Sequence, residues 1–303
     1  MPPHRRRRIV LFALVANFLV AVSKFIAAFF TGSSVMMAEA IHSMADTGNQ
    51  VLLLLGMKLS RKPPDTEHPF GYARESYFWS FVVAVLLFGF GGVYSIVHGI
   101  EKIKHPYELV NLKWAYGVLL ASMIFEFFAL KAAWAEVRRH KGHRTVLQYL
   151  KVSKAPEVVV VFVEDVGALL GLSIAFIGIG LTQWTGIVYI DGVSSVIIGV
   201  MLCISAFFLA QEFRSLIIGE AAAPAVRDKI YQTVEAFKEV EKMGGLLTLH
   251  MGQDDITVAF KVRFRDGLST NDVENLIWQI EKAIREVVPF ARQIFVEPAR
   301  LDE

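Results

Sequence analysis

Cysteine is nearly absent from this chain of 303 residues, which contains one, Cys203. A single thiol excludes an intramolecular disulfide and a cysteine-rich metal site. Cys203 lies in the apolar run GVMLCISAFFLA, so we expect a small buried side chain rather than a reactive thiol. The HExxH pattern of paired histidines is missing too, as is a serine or cysteine nucleophile with a plausible base. We therefore do not expect an enzyme, and an intramembrane metalloenzyme in particular is disfavoured.

Charged residues are also scarce, at 20% of the chain with a formal net charge of +2. The basic residues are spread along the segments between apolar runs, as membrane topology requires, and we expect no binding of nucleic acid. Hydrophobic residues make up 54% of the chain, and the mean hydropathy is +0.46. A value so far above zero is unusual for a soluble protein and indicates spans of a lipid bilayer.

Six apolar runs reach the length of about 20 residues that a membrane-crossing helix needs. They lie at about residues 9–31, 34–57, 77–100, 112–134, 157–181 and 190–213. Lysine and arginine mark the cytoplasmic side, and they are concentrated before the first run, after the second and after the fourth. This bias and the even number of spans predict that both termini are cytoplasmic. The initial MPPHRRRR is interpreted as a cytoplasmic anchor, because the apolar run after it is too long for a secretory signal.

The composition changes at about residue 215, where long apolar runs stop. AAPAVRDKIYQTVEAFKEV is typical of an amphipathic helix, and GGLLTLHMG and DITVAFKVRFR are typical of strands. A second helix follows, which Ser269 or Thr270 can cap, and RQIFVEP can form a last strand. The order α-β-β-α-β predicts a small α+β domain with helices on an antiparallel-rich sheet.

Polar residues interrupt the second apolar run in AEAIHSMADTGNQ, where His42 and Asp46 are four residues apart. That spacing puts both side chains on one helix face, and an ionisable residue near the bilayer centre costs about 2.5 to 3.5 kcal/mol. A serine or asparagine would join helices at lower cost, so this pair indicates nitrogen and oxygen ligands for a divalent metal. The fifth run adds Glu164 and Asp165, whose side chains point about 100° apart on a helix.

These features together resemble the cation diffusion facilitator transporters, and the resemblance covers nearly the whole chain. The flanking motifs AEAIHSMADTGNQ and HPFGYARESYFWS make the resemblance specific. The resemblance implies a membrane all-α six-helix transmembrane domain at 1–214. It implies a cytoplasmic α+β domain of αββαβ, ferredoxin-like order at 215–303, which dimerises the protein. The implied activity is export of a divalent cation, most commonly Zn²⁺, in exchange for protons, with the metal as substrate and no resident cofactor.

The resemblance also implies a transport site of two ligand pairs spaced by four residues, one on the second span and one on the fifth. His42 and Asp46 match the first pair, and Asp165 matches half of the second. The remaining position is Val161, where many members carry His or Asp.

The missing ligand leaves three unless Glu164, Asn49 or water completes the shell. A subgroup that includes a mitochondrial zinc transporter keeps HxxxD on span two and Glu-Asp on span five, so we expect a remodelled metal site at His42, Asp46, Glu164 and Asp165. Fewer nitrogen ligands favour harder ions such as Mn²⁺, Fe²⁺ or Co²⁺, which remain alternatives to Zn²⁺. A regulatory subunit without transport, with a degenerate site, is the other alternative.

Metal binding needs a neutral imidazole, so metal and proton compete for His42 and exchange of the two is expected. The short loops and the lack of an evident transit peptide favour a bacterial plasma membrane as the location.

Two weaker candidates for metal binding lie outside the membrane runs. Asp65 and His68 match a peripheral site of some relatives, but Tyr72 stands where a second histidine would be, so an ordering role for this loop is favoured. His250 is a lone histidine beside Asp254 and Asp255, and a satisfied structural side chain is expected there.

Overall fold

The chain forms two compact units in a computed structural model that describes residues 3–32, 34–106, 112–252 and 255–300. One unit comprises Met1–Lys58 and Ser76–Arg214, and the other comprises Leu59–Glu75 and Ser215–Glu303. The break at residue 214 coincides with the change in composition. The segment Leu59–Glu75 was assigned to the first domain from the sequence, and the structure packs it with the second unit.

The first unit is helical, and each of the six apolar runs lies in one of its long helices, which confirms the predicted fold class. Their bounds are α1 Pro3–Thr31, α2 Ser34–Leu59, α3 Glu75–Leu86, α4 Tyr94–Lys104, α5 Leu112–Lys141, α7 Pro156–Thr185 and α8 Tyr189–Ile218. The π-helical segment Leu87–Val93 joins α3 to α4, so the third span is one continuous helix. A short helix, α6 Val146–Val152, follows α5.

Four stretches of the described residues are long and apolar enough to cross a membrane: Glu75–Lys104, Ala115–Lys141, Pro156–Thr185 and Tyr189–Ile218. The described side chains of α1 add the shorter apolar stretch Asn17–Thr31. Helix α2 is not apolar enough to be among these stretches, because its central turns carry the acids and the histidine described below.

The third span packs closely against α8 through glycines and serines. A Cβ built on Gly99 would lie 2.7 Å from the carbonyl oxygen of Gly192, and one built on Gly192 would lie 2.8 Å from that of Gly99. Ser195 donates a hydrogen bond of 3.0 Å to the carbonyl oxygen of Ser95. Small residues allow such an approach of two helix backbones in lipid. Cys203 is partly rather than fully buried, which corrects the expectation of a buried thiol.

The second unit has the predicted order: α9 Pro224–Glu235, β1 Val240–Gly252, β2 Asp255–Phe264, α10 Thr270–Val287 and β3 Ala291–Pro298. The sheet order is β1-β2-β3, with β1 antiparallel and β3 parallel to β2. Alternate residues of β2 form the centre of the core, as their period of two predicts. They are Ile256, Val258, Phe260 and Val262. Ser269 caps α10 in a capping box with Asp272.

The Leu59–Glu75 segment contacts the sheet side of this unit through small residues. A Cβ on Gly252 would lie 3.0 Å from the Cβ of Ala73, so the segment passes close to the end of β1. Gly219 has a φ of 118° and lies against Leu249 and Arg74. The segment Leu59–Glu75 therefore lies against β1 within the second unit.

Candidate metal-transport site

The centre of α2 carries a buried histidine and a buried aspartate. His42 Nδ1 lies 3.5 Å from Asp46 Oδ1, at the helical spacing of four residues that places them on one face. His42 is 1% exposed and Asp46 is 8% exposed. Among the described residues, neither ring nitrogen of His42 has a hydrogen-bond partner, nor does Asp46 Oδ1. Buried polar atoms are normally paired, so the unpartnered atoms of His42 and Asp46 are an exception to that rule.

Helix α7 presents its two adjacent acids in different environments, as the helical rotation predicts. Asn49 Nδ2 of α2 donates a hydrogen bond of 2.6 Å to Glu164 Oε1, and both side chains are buried. Asp165 is partly buried, and its Oδ2 has no hydrogen-bond partner among the described residues. Glu164 thus faces α2, and Asp165 retains an oxygen for another partner.

The four predicted ligands do not close around one point in this structure. No group of three or more His, Cys, Asp or Glu side chains among the described residues is close enough to hold a metal ion. His42 and Asp46 are adjacent, whereas Glu164 is engaged by Asn49. The metal site of His42, Asp46, Glu164 and Asp165 therefore stays a prediction, and binding would require the helices or side chains to move.

Val161 lies one turn before Asp165 on α7 and is partly buried. Its side chain offers no donor atom, so α7 provides no metal ligand at this position.

Glu126 of α5 adds a further carboxyl to this region. It interacts electrostatically with Glu39, Asp46, Glu164 and Asp165. Glu126 interrupts the apolar run FEFFALKAAW. Several acids facing one buried region produce a negative potential that attracts cations.

A second polar cluster joins α1 to α2. Lys24 Nζ lies 3.3 Å from Glu39 Oε2 and donates a hydrogen bond of 2.6 Å to Ser43 Oγ. Lys24 and Glu39 are completely buried. None of these three residues is among the ligands predicted from the sequence, although the spacing of four residues between Glu39 and Ser43 on α2 indicates a shared helix face.

The loop candidates Asp65 and His68 form an ordered turn. Asp65 Oδ1 accepts hydrogen bonds from the backbone amides of Glu67 and His68, and Tyr72 Oη donates one of 2.6 Å to Asp65 Oδ2. The bond from Tyr72, followed by the amide bonds, lowers the pKa of Asp65, and the same carboxylate raises the pKa of Tyr72 to about 12. The imidazole of His68 stacks on Tyr72 with ring centroids 4.3 Å apart. These contacts support the loop-ordering interpretation.

His250 is 6% exposed at the end of β1. Its backbone amide donates to the carbonyl of Glu220 at 2.9 Å, and its Nδ1 lies 3.4 Å from the carbonyl oxygen of Gly252. Burial raises the pKa of Asp255, while the neighbouring Asp254 lies outside the described residues. A structural role for His250 agrees with these contacts.

Comparison with known proteins connects this geometry to a transport family. Residues 10–218 match the cation efflux transmembrane domain. That range contains α2, α7 and all the polar residues of the membrane described above, and it is more than two thirds of the chain.

Relatives of this chain come from several organisms. Proton-coupled zinc antiporter SLC30A9, mitochondrial, of Mus musculus is 31% identical over 283 residues, which are 91% of this chain and 50% of that protein. Metal tolerance protein C4 of Arabidopsis thaliana is 35% identical over 71% of this chain and 48% of its own length. Manganese efflux system protein MneP of Bacillus subtilis is 24% identical over 65% of this chain and 63% of its own length. The chain spans about half the length of the mouse and Arabidopsis relatives.

Proposed function

Because the chain belongs to the cation diffusion facilitator family, in the subgroup of the mitochondrial zinc antiporters, and is a multi-pass integral membrane protein, we propose that it exports a divalent metal ion in exchange for protons. The observation that carries this proposal is the buried pair of His42 and Asp46, whose metal-binding atoms have no hydrogen-bond partners among the described residues. A transporter with the metal as its substrate, and not an enzyme, fits a site of this kind.

Zn²⁺ is the proposed cargo. The imidazole of His42 supplies a nitrogen ligand that suits zinc, and carboxylates of Asp46 and Asp165 supply oxygens. The name of the mouse relative, a proton-coupled zinc antiporter, supports this choice. Mn²⁺ is the second candidate, because Val161 leaves one nitrogen ligand fewer and the Bacillus relative is named as a manganese efflux protein. Fe²⁺ and Co²⁺ would suit the same oxygen-rich set.

Proton exchange follows from competition for the same atoms. His42 binds metal only as the neutral imidazole, and a carboxylate ligand must also be deprotonated. A metal ion that enters the site therefore displaces protons, and protons that enter from the other side help to release the metal. An alternating-access cycle would then couple one flow to the other.

The separation of Asn49–Glu164 from His42–Asp46 gives this cycle a structural basis. Glu164 is bonded to Asn49 in this structure, whereas a bound metal would be completed by ligands from α7. Metal binding would then replace the amide–carboxylate bond that joins α2 to α7.

We also propose a homodimer assembled through the C-terminal unit, with both termini on the cytoplasmic side. The earlier expectation of a bacterial plasma membrane gains no support from the relatives, which include a mouse mitochondrial protein. The proposal therefore names no particular membrane. The alternative of a regulatory subunit without transport is favoured by one observation, the apolar side chain at Val161.

The test is metal uptake by liposomes that contain the purified protein, with Zn²⁺, Mn²⁺, Fe²⁺ and Co²⁺ offered separately. We expect saturable Zn²⁺ uptake that is lost in Asp46→Ala. Uptake of Mn²⁺ in place of Zn²⁺ would identify Mn²⁺ as the cargo and would leave the proposed function as a metal exporter unchanged. Absence of uptake of every metal by a folded dimer would overturn the proposed function and favour the regulatory subunit.

A further inference from the structure

Lys24 places a positive charge in the membrane close to the proposed cation ligands. Its side chain is completely buried, and its ammonium interacts electrostatically with His42 and Asp46. A fixed cation repels a divalent metal strongly at short range where water is excluded. A lysine in this position therefore weakens metal binding unless another charge compensates it, and its contacts must account for its presence.

The reason lies in what the ammonium contacts. Lys24 belongs to α1, and its Nζ donates a hydrogen bond of 2.6 Å to Ser43 Oγ of α2. Ser43 directly follows His42 in the chain, so this bond fixes the ligand-bearing turn of α2 against α1.

The compensating charge is Glu39, one turn before Ser43. Its Oε2 lies 3.3 Å from Lys24 Nζ, and both side chains are 0% exposed. Its other oxygen, Oε1, has no hydrogen-bond partner among the described residues and faces Gly171 of α7. A Cβ on Gly171 would lie 2.5 Å from that oxygen, so the glycine makes room for the carboxylate between α1 and α7.

We propose that Lys24 and Glu39 form a charge-neutral clamp in which Lys24 positions α2 through Ser43 and Glu39 cancels the lysine charge, so that a divalent cation can bind at His42 and Asp46. The two are positioning residues and contribute no ligand atom. This inference rests on the proposed function, because it concerns the affinity of the same site for its metal.

The clamp predicts that a double substitution binds Zn²⁺ more tightly than one of its single substitutions. Glu39→Gln leaves the Lys24 charge uncompensated, and we expect Zn²⁺ to bind at least about tenfold more weakly, because a buried positive charge repels a divalent cation. Adding Lys24→Met to Glu39→Gln removes that charge but also the bond to Ser43, so the affinity should recover most of the loss and stay somewhat below that of the wild type. A purely structural role for the pair would make the double variant at least as defective as Glu39→Gln.

The measurement is the Zn²⁺ dissociation constant of the purified full-length protein in detergent, by competition with a fluorescent chelator. The melting temperature of each variant is recorded alongside. The matched control is Asp191→Asn, which removes an acid that interacts with another buried lysine, Lys102. This control should bind Zn²⁺ as the wild type does.

Wild-type affinity in folded Glu39→Gln would overturn the clamp, as would a double variant that stays as weak as Glu39→Gln. If Glu39→Gln alone does not fold, the double variant, which buries no unpaired charge, decides: affinity near the wild type supports the clamp, and a hundredfold loss overturns it. A wild-type protein that binds no metal would overturn the proposed function itself, and the clamp with it.

Discussion

The amide of Asn49 and the carboxylate of Glu164 join α2 to α7 through a buried hydrogen bond of 2.6 Å. It connects the helix that carries His42 and Asp46 to the helix that carries Asp165. Hydrogen bonds between membrane helices contribute about 0.6 to 1.7 kcal/mol, and a buried carboxylate left without its donor costs more.

Replacement of Asn49 by leucine should therefore destabilise the membrane unit by about 1 to 3 kcal/mol, because Glu164 loses its donor in a buried position. Thermal unfolding of the purified protein measures this. The control is Asn49→Gln, which keeps an amide and should recover part of the loss. Equal stability of Asn49→Leu and the wild type would show that the bond is not formed in the membrane.

Substitution of Val161 by histidine should restore the missing ligand position on α7, one turn before Asp165. A fourth ligand of the nitrogen type favours Zn²⁺ over Mn²⁺, so we expect at least about tenfold tighter Zn²⁺ binding and a higher Zn²⁺ to Mn²⁺ preference. Val163→His, on a different face of the same helix, is the control and should change neither. If both histidines act alike, Val161 does not face the site.

His42→Ala should reduce the coupling to protons as well as the affinity for metal, since the imidazole exchanges one for the other. The affinity of the wild type should fall as the pH is lowered, and that fall should be shallower in His42→Ala. Metal binding measured at several pH values tests this. His98→Ala, a histidine of α4 that stacks on Tyr94, should leave the pH profile as it is. An unchanged profile in His42→Ala would assign the proton exchange to the carboxylates alone.

Gly99→Ala should destabilise the packing of α4 on α8, because its Cβ would lie 2.7 Å from a backbone oxygen of Gly192. Overpacking of this kind costs about 1 to 3 kcal/mol. Gly117→Ala is the matched control, since a Cβ there meets nothing within 4 Å. Melting temperatures should fall for the first variant and hold or rise for the second. A lower melting temperature for Gly117→Ala than for Gly99→Ala would show that Gly99 is not part of a close helix contact.

Tyr72→Phe should raise the pKa of Asp65 toward its ordinary value, since the phenol is the main cause of the lowered pKa. A carboxyl whose pKa is lowered in the folded state contributes stability above its unfolded pKa and loses it as the pH falls through the folded value. The variant should therefore lose less stability on acidification. Carbon-detected NMR titration of Asp65 measures the shift, with Tyr231→Phe in the same unit as control. An Asp65 pKa unaffected by Tyr72→Phe would contradict the turn described above.

Periodicity predicted the parts of the fold that depend on local sequence. The alternation from Ile256 to Val262 predicted the buried face of β2, and the spacing of His42 and Asp46 predicted their shared face. The contact of Ala73 with Gly252 was not predictable, because it joins segments far apart in the chain through residues of no distinctive type. The same holds for Asn49 with Glu164, since the rotation of each helix is set by packing rather than by its own sequence.

The most direct test of the account is proton movement driven by metal. Liposomes that contain the protein and a trapped pH-sensitive dye would receive a Zn²⁺ gradient, with wild type and Asp46→Ala compared at the same protein density. The account predicts that Zn²⁺ entry moves protons out of the vesicles, so that the interior becomes more alkaline, and that Asp46→Ala abolishes this. Zn²⁺ entry by the wild type without any change of internal pH would contradict exchange of metal for protons.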